Sequence, residues 1–290
     1  MKKLVKKGSG IVLILIAICW FLIDSLTIYP SPQTTLITSE TKVEAVVLSQ
    51  DDKNAITCYQ PNLTTKDITQ NHLRLLVWNL HKGLDKGWQH ALTDYSEFAD
   101  FVLLQEATSE QQLPILLPNL SNQLFATPFA YRGVHSGVAL LTKFTPQSYC
   151  SASVVEPWIR FPKASISSLY PLANGQSLLV ISAHLINFEL IPDAYQQQLQ
   201  QLSQQVKWHT GPVILAGDFN AWSEERTKLL RDMAQQWGLV EVKFEPDYRV
   251  RFNQHPLDYV FVRGMNVIQA KTEENKASDH NPLLLELSFQ

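Results

Sequence analysis

The sequence predicts a layered α/β (α+β) domain over residues 72–290. Two observations predict it. Apolar runs of strand length, among them LRLLVW, SLLVIS and PVILAG, recur along this region. They are near-continuously apolar, which is how a strand buried on both faces reads. Between them lie segments whose apolar residues fall at helical spacings, and that alternation is the pattern of sheets covered by helices. No linker interrupts it, so the region is read as one domain of about 220 residues.

The N-terminus differs in composition. Lys2, Lys3, Lys6 and Lys7 form a basic flank before an unbroken apolar run from Ile11 to Ile23. Extended through Leu26, Ile28 and Tyr29, a helix there would cover about 27 Å at 1.5 Å per residue, close to a bilayer core of about 30 Å. No A-x-A-like cleavage site follows, and Ile18 before Cys19 is wrong for a lipoprotein signal. Residues 1–30 are therefore expected to be an uncleaved transmembrane signal-anchor. The lysines place the N-terminus in the cytoplasm and the rest outside, single-pass in the inner (cytoplasmic) membrane. The alternative is a cytoplasmic protein. Residues 31–71 read as a linker opened by Pro30-Ser31-Pro32. Within it, Val43 to Leu48 reads equally as a short strand or a helix. If the domain is exported, Cys58 and Cys150 have the opportunity to pair; two free thiols are the other reading.

Strands are then expected at Leu73 to Asn79, Phe101 to Gln105, Gly137 to Thr142, Ala164 to Tyr170, Leu178 to His184, Val213 to Gly217, Leu257 to Val262 and Leu283 to Phe289. A helix from Asp193 to Trp208 places Tyr195, Leu199, Leu202 and Val206 on one face, its glutamines reading as the solvated face. Ser223 is the N-cap of another helix, with Glu224 and Glu225 suited to its dipole and Leu229, Leu230, Met233 and Trp237 as its core stripe.

Composition narrows the function. With 45% hydrophobic and 18% charged residues the chain is neither disordered nor fibrous. A net charge of −3 argues against a protein that coats polyanions, though not against an enzyme that holds one phosphate with a metal ion. Three cysteines do not make a disulfide scaffold.

The chemistry sits where polar residues abruptly end or open buried strands, because ligand sites in α/β folds lie beyond strand ends. Asn79, Glu106, His184, Asp218 with Asn220, Asp258, and Asp279 with His280 all stand at such points. Singly, each is an ordinary cap or turn residue. Jointly they supply hard oxygen ligands and imidazoles, a set suited to Mg²⁺ or Mn²⁺ and a phosphate rather than to zinc.

In order, LLVWN, LLQE, GVALLTK, ISAHL, GDFNA, LDYVF and SDHNPL resemble the motifs of the endonuclease/exonuclease/phosphatase superfamily, the fold of deoxyribonuclease I and exonuclease III-type nucleases, and most of all a bacterial subgroup of it. The resemblance covers about residues 72–290. It implies a four-layer sandwich of two mixed β-sheets flanked by helices. It implies a Mg²⁺- or Mn²⁺-dependent phosphoric-ester hydrolase with Glu106, Asn79 and Asp279 at the metal. Asp218 would ready the attacking water, and Asn220 would bond the nucleophile or the phosphate. His280, oriented by Asp258, and His184 would meet the charge on the phosphate.

Three functions follow. The first is a nuclease hydrolysing DNA or RNA by in-line water attack. The second is a phosphodiesterase or phosphatase on a lipid headgroup or small phosphoester. The third is a non-catalytic, membrane-anchored binding protein. Nucleic acid is the expected substrate, with Arg249 and Arg251, and also Arg160 and Lys163, as candidates to grip its backbone. No protein partner is inferred.

Overall fold

A computed structural model of the protein describes residues 25–39, 41–52 and 55–290. Two eight-stranded sheets carry the fold. Sheet A runs β17 (Met265–Thr272), β18 (Leu283–Phe289), β5 (His72–Asn79), β6 (Phe101–Thr108), β8 (Val134–Thr142), β7 (Asn122–Tyr131), β1 (Leu26–Thr38) and β2 (Thr41–Val43). Sheet B runs β13 (Val240–Glu241), β16 (Asp258–Arg263), β12 (Val213–Asp218), β11 (Ser177–His184), β10 (Pro162–Pro171), β9 (Ser148–Val155), β4 (Ile56–Pro61) and β3 (Ala45–Asp51). A small hairpin pairs β14 (Arg251–Phe252) with β15 (His255–Pro256). Both large sheets are mixed: β5 with β6 and β11 with β12 are parallel, and their other pairings are antiparallel.

The continuous apolar runs follow from the layering. In LRLLVWN, Leu75 and Val77 enter the core between the sheets, where they join Leu103, Leu140, Ile166, Val180, Ile214 and Val260. Leu76 and Trp78 point the other way, under α1 (Trp88–Ser96) and Leu92. On the outer face of sheet B, α3 (Asp193–Val206) and α4 (Glu224–Gln236) cover Leu179, Ile181, Leu215 and Phe261. A short α2 (Leu113–Leu116) completes the α-helices among the described residues. Each large apolar side chain fully buried this way contributes about 1.5–3 kcal/mol. Tyr195, Leu199, Leu202 and Val206 are the buried stripe of α3, and Ser223 Oγ accepts from Arg226 N at the start of α4.

Three expectations are corrected. The transmembrane helix is not supported: Leu26, Ile28 and Tyr29 belong to β1, hydrogen-bonded to β7 with Leu26 opposite Tyr131. Among the described residues no helix is long and apolar enough to cross a membrane. Ile11 to Ile23 lies outside those residues. Second, much of the expected linker is sheet. β1 and β2 extend sheet A, and β3 and β4 extend sheet B, with Cys58 and Cys150 register partners joined by a disulfide. Third, not all glutamines of α3 are solvated. Gln198 and Gln201 are buried, their side-chain amides donating to the His184 and Ser153 carbonyls.

Candidate active site

Register brings the chemistry into one row. β11 and β12 are parallel with His184 opposite Asp218, and β12 and β16 are antiparallel with Asp218 opposite Asp258. The strands approach closely just before this row. Gly217 has φ +144°, and a Cβ there would lie 1.9 Å from the Ala183 carbonyl oxygen, so only glycine fits.

Asp218 is buried at the centre. Its Oδ1 accepts from Asn220 N at 3.0 Å, and its Oδ2 accepts from Asn79 Nδ2 at 3.0 Å, a bond that crosses from sheet A to sheet B. His184 Nε2 lies 3.3 Å and His280 Nε2 3.8 Å from the same Oδ2. Burial raises the Asp218 carboxyl to about 6, with the His280 charge pulling it down and that of Asp258 pushing it up. Asn220 has φ +47° and spends its Nδ2 on the Leu185 carbonyl at 3.0 Å.

His280 Nδ1 lies 2.8 Å from Asp258 Oδ2. Burial alone would lower its pKa, but the carboxylates of Asp258 and Asp218 raise it to about 10. At neutral pH it is an imidazolium whose Nδ1–H donates to Asp258. The loop carrying it is pinned to β5: Trp78 Nε1 donates to the His280 carbonyl at 2.8 Å, and Ser278 Oγ donates to the Asn79 carbonyl at 2.6 Å. His184 has the opposite character. Burial, then the charges of Lys163 and His280, hold its pKa well below the usual value. The Lys163 ammonium, 2.9 Å away, donates to His184 Nε2.

Glu106 is the extra residue at a bulge in β6, with φ +54°. Its carboxylate bonds Lys82 Nζ and lies 3.9 Å from Lys163 Nζ. Burial would raise its pKa, but Lys163 and Lys82 more than reverse this and hold it below the ordinary glutamate value. Asp279 is half exposed, its Oδ2 3.9 Å from His81 Nε2, and Asn79 Oδ1 accepts from His81 N at 3.0 Å. His81, Lys82, Glu106 and Asn220 all hold left-handed backbone, a conformation costing about 1–3 kcal/mol per residue and concentrated at functional sites.

Two oxygen-bearing groups bear on a metal. Asp218, Asp258 and His280 bring ligand-capable atoms within 4.8 Å of one another, and His280 would have to give up a proton to join the two carboxylates in holding an ion. Glu106, Asn79 and Asp279 offer hard oxygens, and the ammonium groups now balancing Glu106 show that this carboxylate draws cations. That donor chemistry fits a hard divalent ion.

Arg249 and Arg251, expected to hold substrate, are placed otherwise. Arg249 is buried against Asp247, with Nη1 on the Asp258 carbonyl at 3.1 Å, so it braces the strand that carries Asp258. Arg251 Nη2 bonds the same Asp247 at 2.6 Å. Sequence reasoning passed over Lys82 and Gln198. Gln198 accepts from Ile186 N and donates to the Lys163 and His184 carbonyls, which holds the two strand ends together. The signal for Lys82 was HKG directly after a strand, a polar turn at the site end of β5.

Comparison with known proteins bears on the fold and the family. A UPF0294 protein of Vibrio vulnificus (strain YJ016) is 40% identical over 236 residues, 80% of this chain and 82% of that one. The crystal structure of D. rerio TDP2 complexed with single strand DNA product superposes with a TM-score of 0.53 at 17% identity, covering 76% of this chain and 100% of that one. A mannosyl-6-phosphatase of Bacteroides thetaiotaomicron VPI-5482 gives a TM-score of 0.55 at 15% identity, over 75% and 100% of the two chains. These two structures share the fold. Residues 76–280, which hold all of the row described above, match the profile of the Endonuclease/Exonuclease/phosphatase family. The chain belongs to that family of phosphoric-ester hydrolases, and within it to the UPF0294 proteins.

Proposed function

We propose that the protein is a divalent-metal-dependent phosphodiesterase that hydrolyses its substrate by in-line attack of water. The observation that carries this reading is the register row of His184, Asp218 and Asp258, with His280 locked onto Asp258. Asp218, raised to about 6, is ionised at neutral pH yet basic enough to take a proton from water. His280, held as an imidazolium, donates to the charge that builds on the phosphate oxygens. Asp258 fixes the proton on its Nδ1 and orients the ring. His184, neutral, carries the Lys163 ammonium on its Nε2 and with it forms the second donor. Glu106, with Asn79 and Asp279, would hold Mg²⁺ or Mn²⁺, which supplies neutralisation of phosphate charge.

Of the substrates considered, a lipid headgroup or small phosphoester is favoured. Of the four cations expected to grip a nucleic-acid backbone, Arg249 and Arg251 are both paired with Asp247 and Lys163 is turned onto His184. The second reading, a nuclease on DNA or RNA, is supported by the likeness to TDP2 with its DNA product. The test is hydrolysis of bis(p-nitrophenyl) phosphate by the full chain with Mg²⁺, Mn²⁺ or EDTA. Activity with either metal, lost in EDTA and in Asp218→Asn, is expected. Full activity in EDTA would refute the reading.

A further inference from the structure

We infer that the rim of this site is a membrane-interface surface, and that the phosphodiester presented to Asp218 belongs to a phospholipid headgroup at a bilayer face. This rests on the phosphodiesterase reading above and adds the substrate class to it.

Two loops leave the catalytic row and carry large apolar side chains into solvent. The loop between β9 and β10 leads into Lys163 of β10, which touches His184. Its tip exposes Trp158 at 58% and Ile159 at 43%. The loop after His184 exposes Phe188, Leu190 at 78% and Ile191 at 72%. One buried residue fastens the loops together. The Glu156 carboxylate accepts from Asn187 N at 2.6 Å and Phe188 N at 2.7 Å, while its backbone closes the turn through Arg160 N at 3.0 Å. Glu189 is likewise turned inward, accepting from Ala194 N and Tyr195 N and facing Arg226. The acidic residues of both loops are thus turned inward, and what remains outward is apolar apart from Arg160. The rim continues through Trp222, whose Nε1 donates to the Asn187 carbonyl and whose ring packs edge-on against exposed Phe252.

A contiguous apolar rim around a polar site marks a binding surface rather than chance exposure. Its composition selects the occupant. A single-stranded nucleic acid needs flat rings to stack on and a line of cations to follow its backbone. Rings are present in Trp158, Phe188 and Phe252, but no line of cations accompanies them: Arg160 is the exposed cation on these loops, and Ile159, Leu190 and Ile191 between the rings are aliphatic. Aliphatic tips beside Trp and Phe, with one arginine at headgroup level, suit the headgroup–acyl boundary of a bilayer, where the side chains enter the hydrocarbon edge and the guanidinium meets lipid phosphate. The reactive row behind the rim would then face the headgroup phosphodiester.

The experiment compares the full chain with Leu190→Ser/Ile191→Ser and with Trp158→Phe, all sharing the same N-terminus. Vesicles of phosphatidylcholine and phosphatidylglycerol at 7:3 are the interfacial substrate, and monomeric dihexanoyl phospholipids with the same headgroups are the soluble one. The double variant should lose at least about tenfold of vesicle hydrolysis and stay within about twofold on the monomeric lipids. Independently of turnover, brominated phosphatidylcholine in the vesicles should quench the fluorescence that wild type has and Trp158→Phe lacks. Unchanged vesicle hydrolysis in the double variant, or no quenching attributable to Trp158, overturns the interface. Hydrolysis of single-stranded DNA but of no phospholipid also overturns it while leaving the phosphodiesterase reading intact. Quenching at Trp158 without hydrolysis of any phosphodiester supports the surface and refutes the catalytic reading instead.

Discussion

His184 and Asp218 are register partners on adjacent parallel strands, and their side chains meet with Nε2 3.3 Å from Oδ2. Parallel strands end at the same end of a sheet, so two residues that terminate them become neighbours with no help from a loop. Asp258 joins from the other side because β16 runs antiparallel and begins where β12 ends. These three side chains are thus fixed by sheet geometry, and if they react as proposed, single substitutions should change chemistry more than fold.

Asp218→Asn should lower turnover by at least about a hundredfold, the range expected for loss of a general base. Its melting temperature should not fall appreciably, because burial already works against the charge being removed. Parallel kcat and Tm measurements decide this. A folded variant with near-normal kcat would remove Asp218 from the mechanism.

His280→Ala should cost about 10²–10³ in kcat, the loss typical of one charge-stabilising donor. Asp258→Asn should cost less, and the double variant little more than His280→Ala, since the two residues act as one unit. Fully additive losses would separate them.

Stability should depend on pH through His280. Its pKa is raised to about 10 in the fold against an ordinary 6.5, so the stability it contributes is complete below about 6.5 and is lost as pH rises through 10. With metal chelated, the melting temperature should decline between pH 7 and 10. Asp258→Asn, lacking the main carboxylate that holds the proton, should flatten that decline. A slope unaltered by the substitution would mean another group titrates.

Glu106→Gln should weaken Mg²⁺ binding, read by titration calorimetry, as well as turnover. It removes the charge that Lys82 and Lys163 now balance while keeping the shape. Unchanged Mg²⁺ affinity would move the ion elsewhere, with Asp218, Asp258 and His280 as the next group to test.

Gln198→Leu should destabilise the protein by about 1–3 kcal/mol in urea, the cost of leaving buried backbone groups unpaired. Ile186 N would lose its acceptor, and the Lys163 and His184 carbonyls a donor each. A change under a few tenths of a kcal/mol would show that water replaces the amide.

Strands such as Val213 to Gly217 were legible because burial on both faces makes them near-continuous apolar runs. The first strand defeats that reading. Pro30 and Pro32 would break a regular ladder, but they fall inside the register shift between Ile28 and Gln33, where β1 is irregular. β7 hides in the same way, with Pro128 inside the shift between Ala126 and Phe129. In the site, Asn79, His184, Asp218 and Asp258 were legible because each bounds a strand. Arg249 was misread because charge patterning does not reveal that Asp247, two residues away, turns it inward. Lys82 reaches Glu106 only through the left-handed turn at His81 and Lys82, which no periodicity encodes.

The opening strands close the far edges of both sheets, and they join the rest of each sheet through strands distant in the chain: β1 waits for β7, and β4 for β9, with Cys58 and Cys150 separated by 92 residues. At synthesis rates of about 5–20 residues per second, that wait lasts roughly 5–20 seconds on the ribosome. Asp218 and His280 are made later still. A growing chain can therefore fasten this distant edge before the row of Asp218, Asp258 and His280 exists, so the two ends of the sandwich are completed in a fixed order.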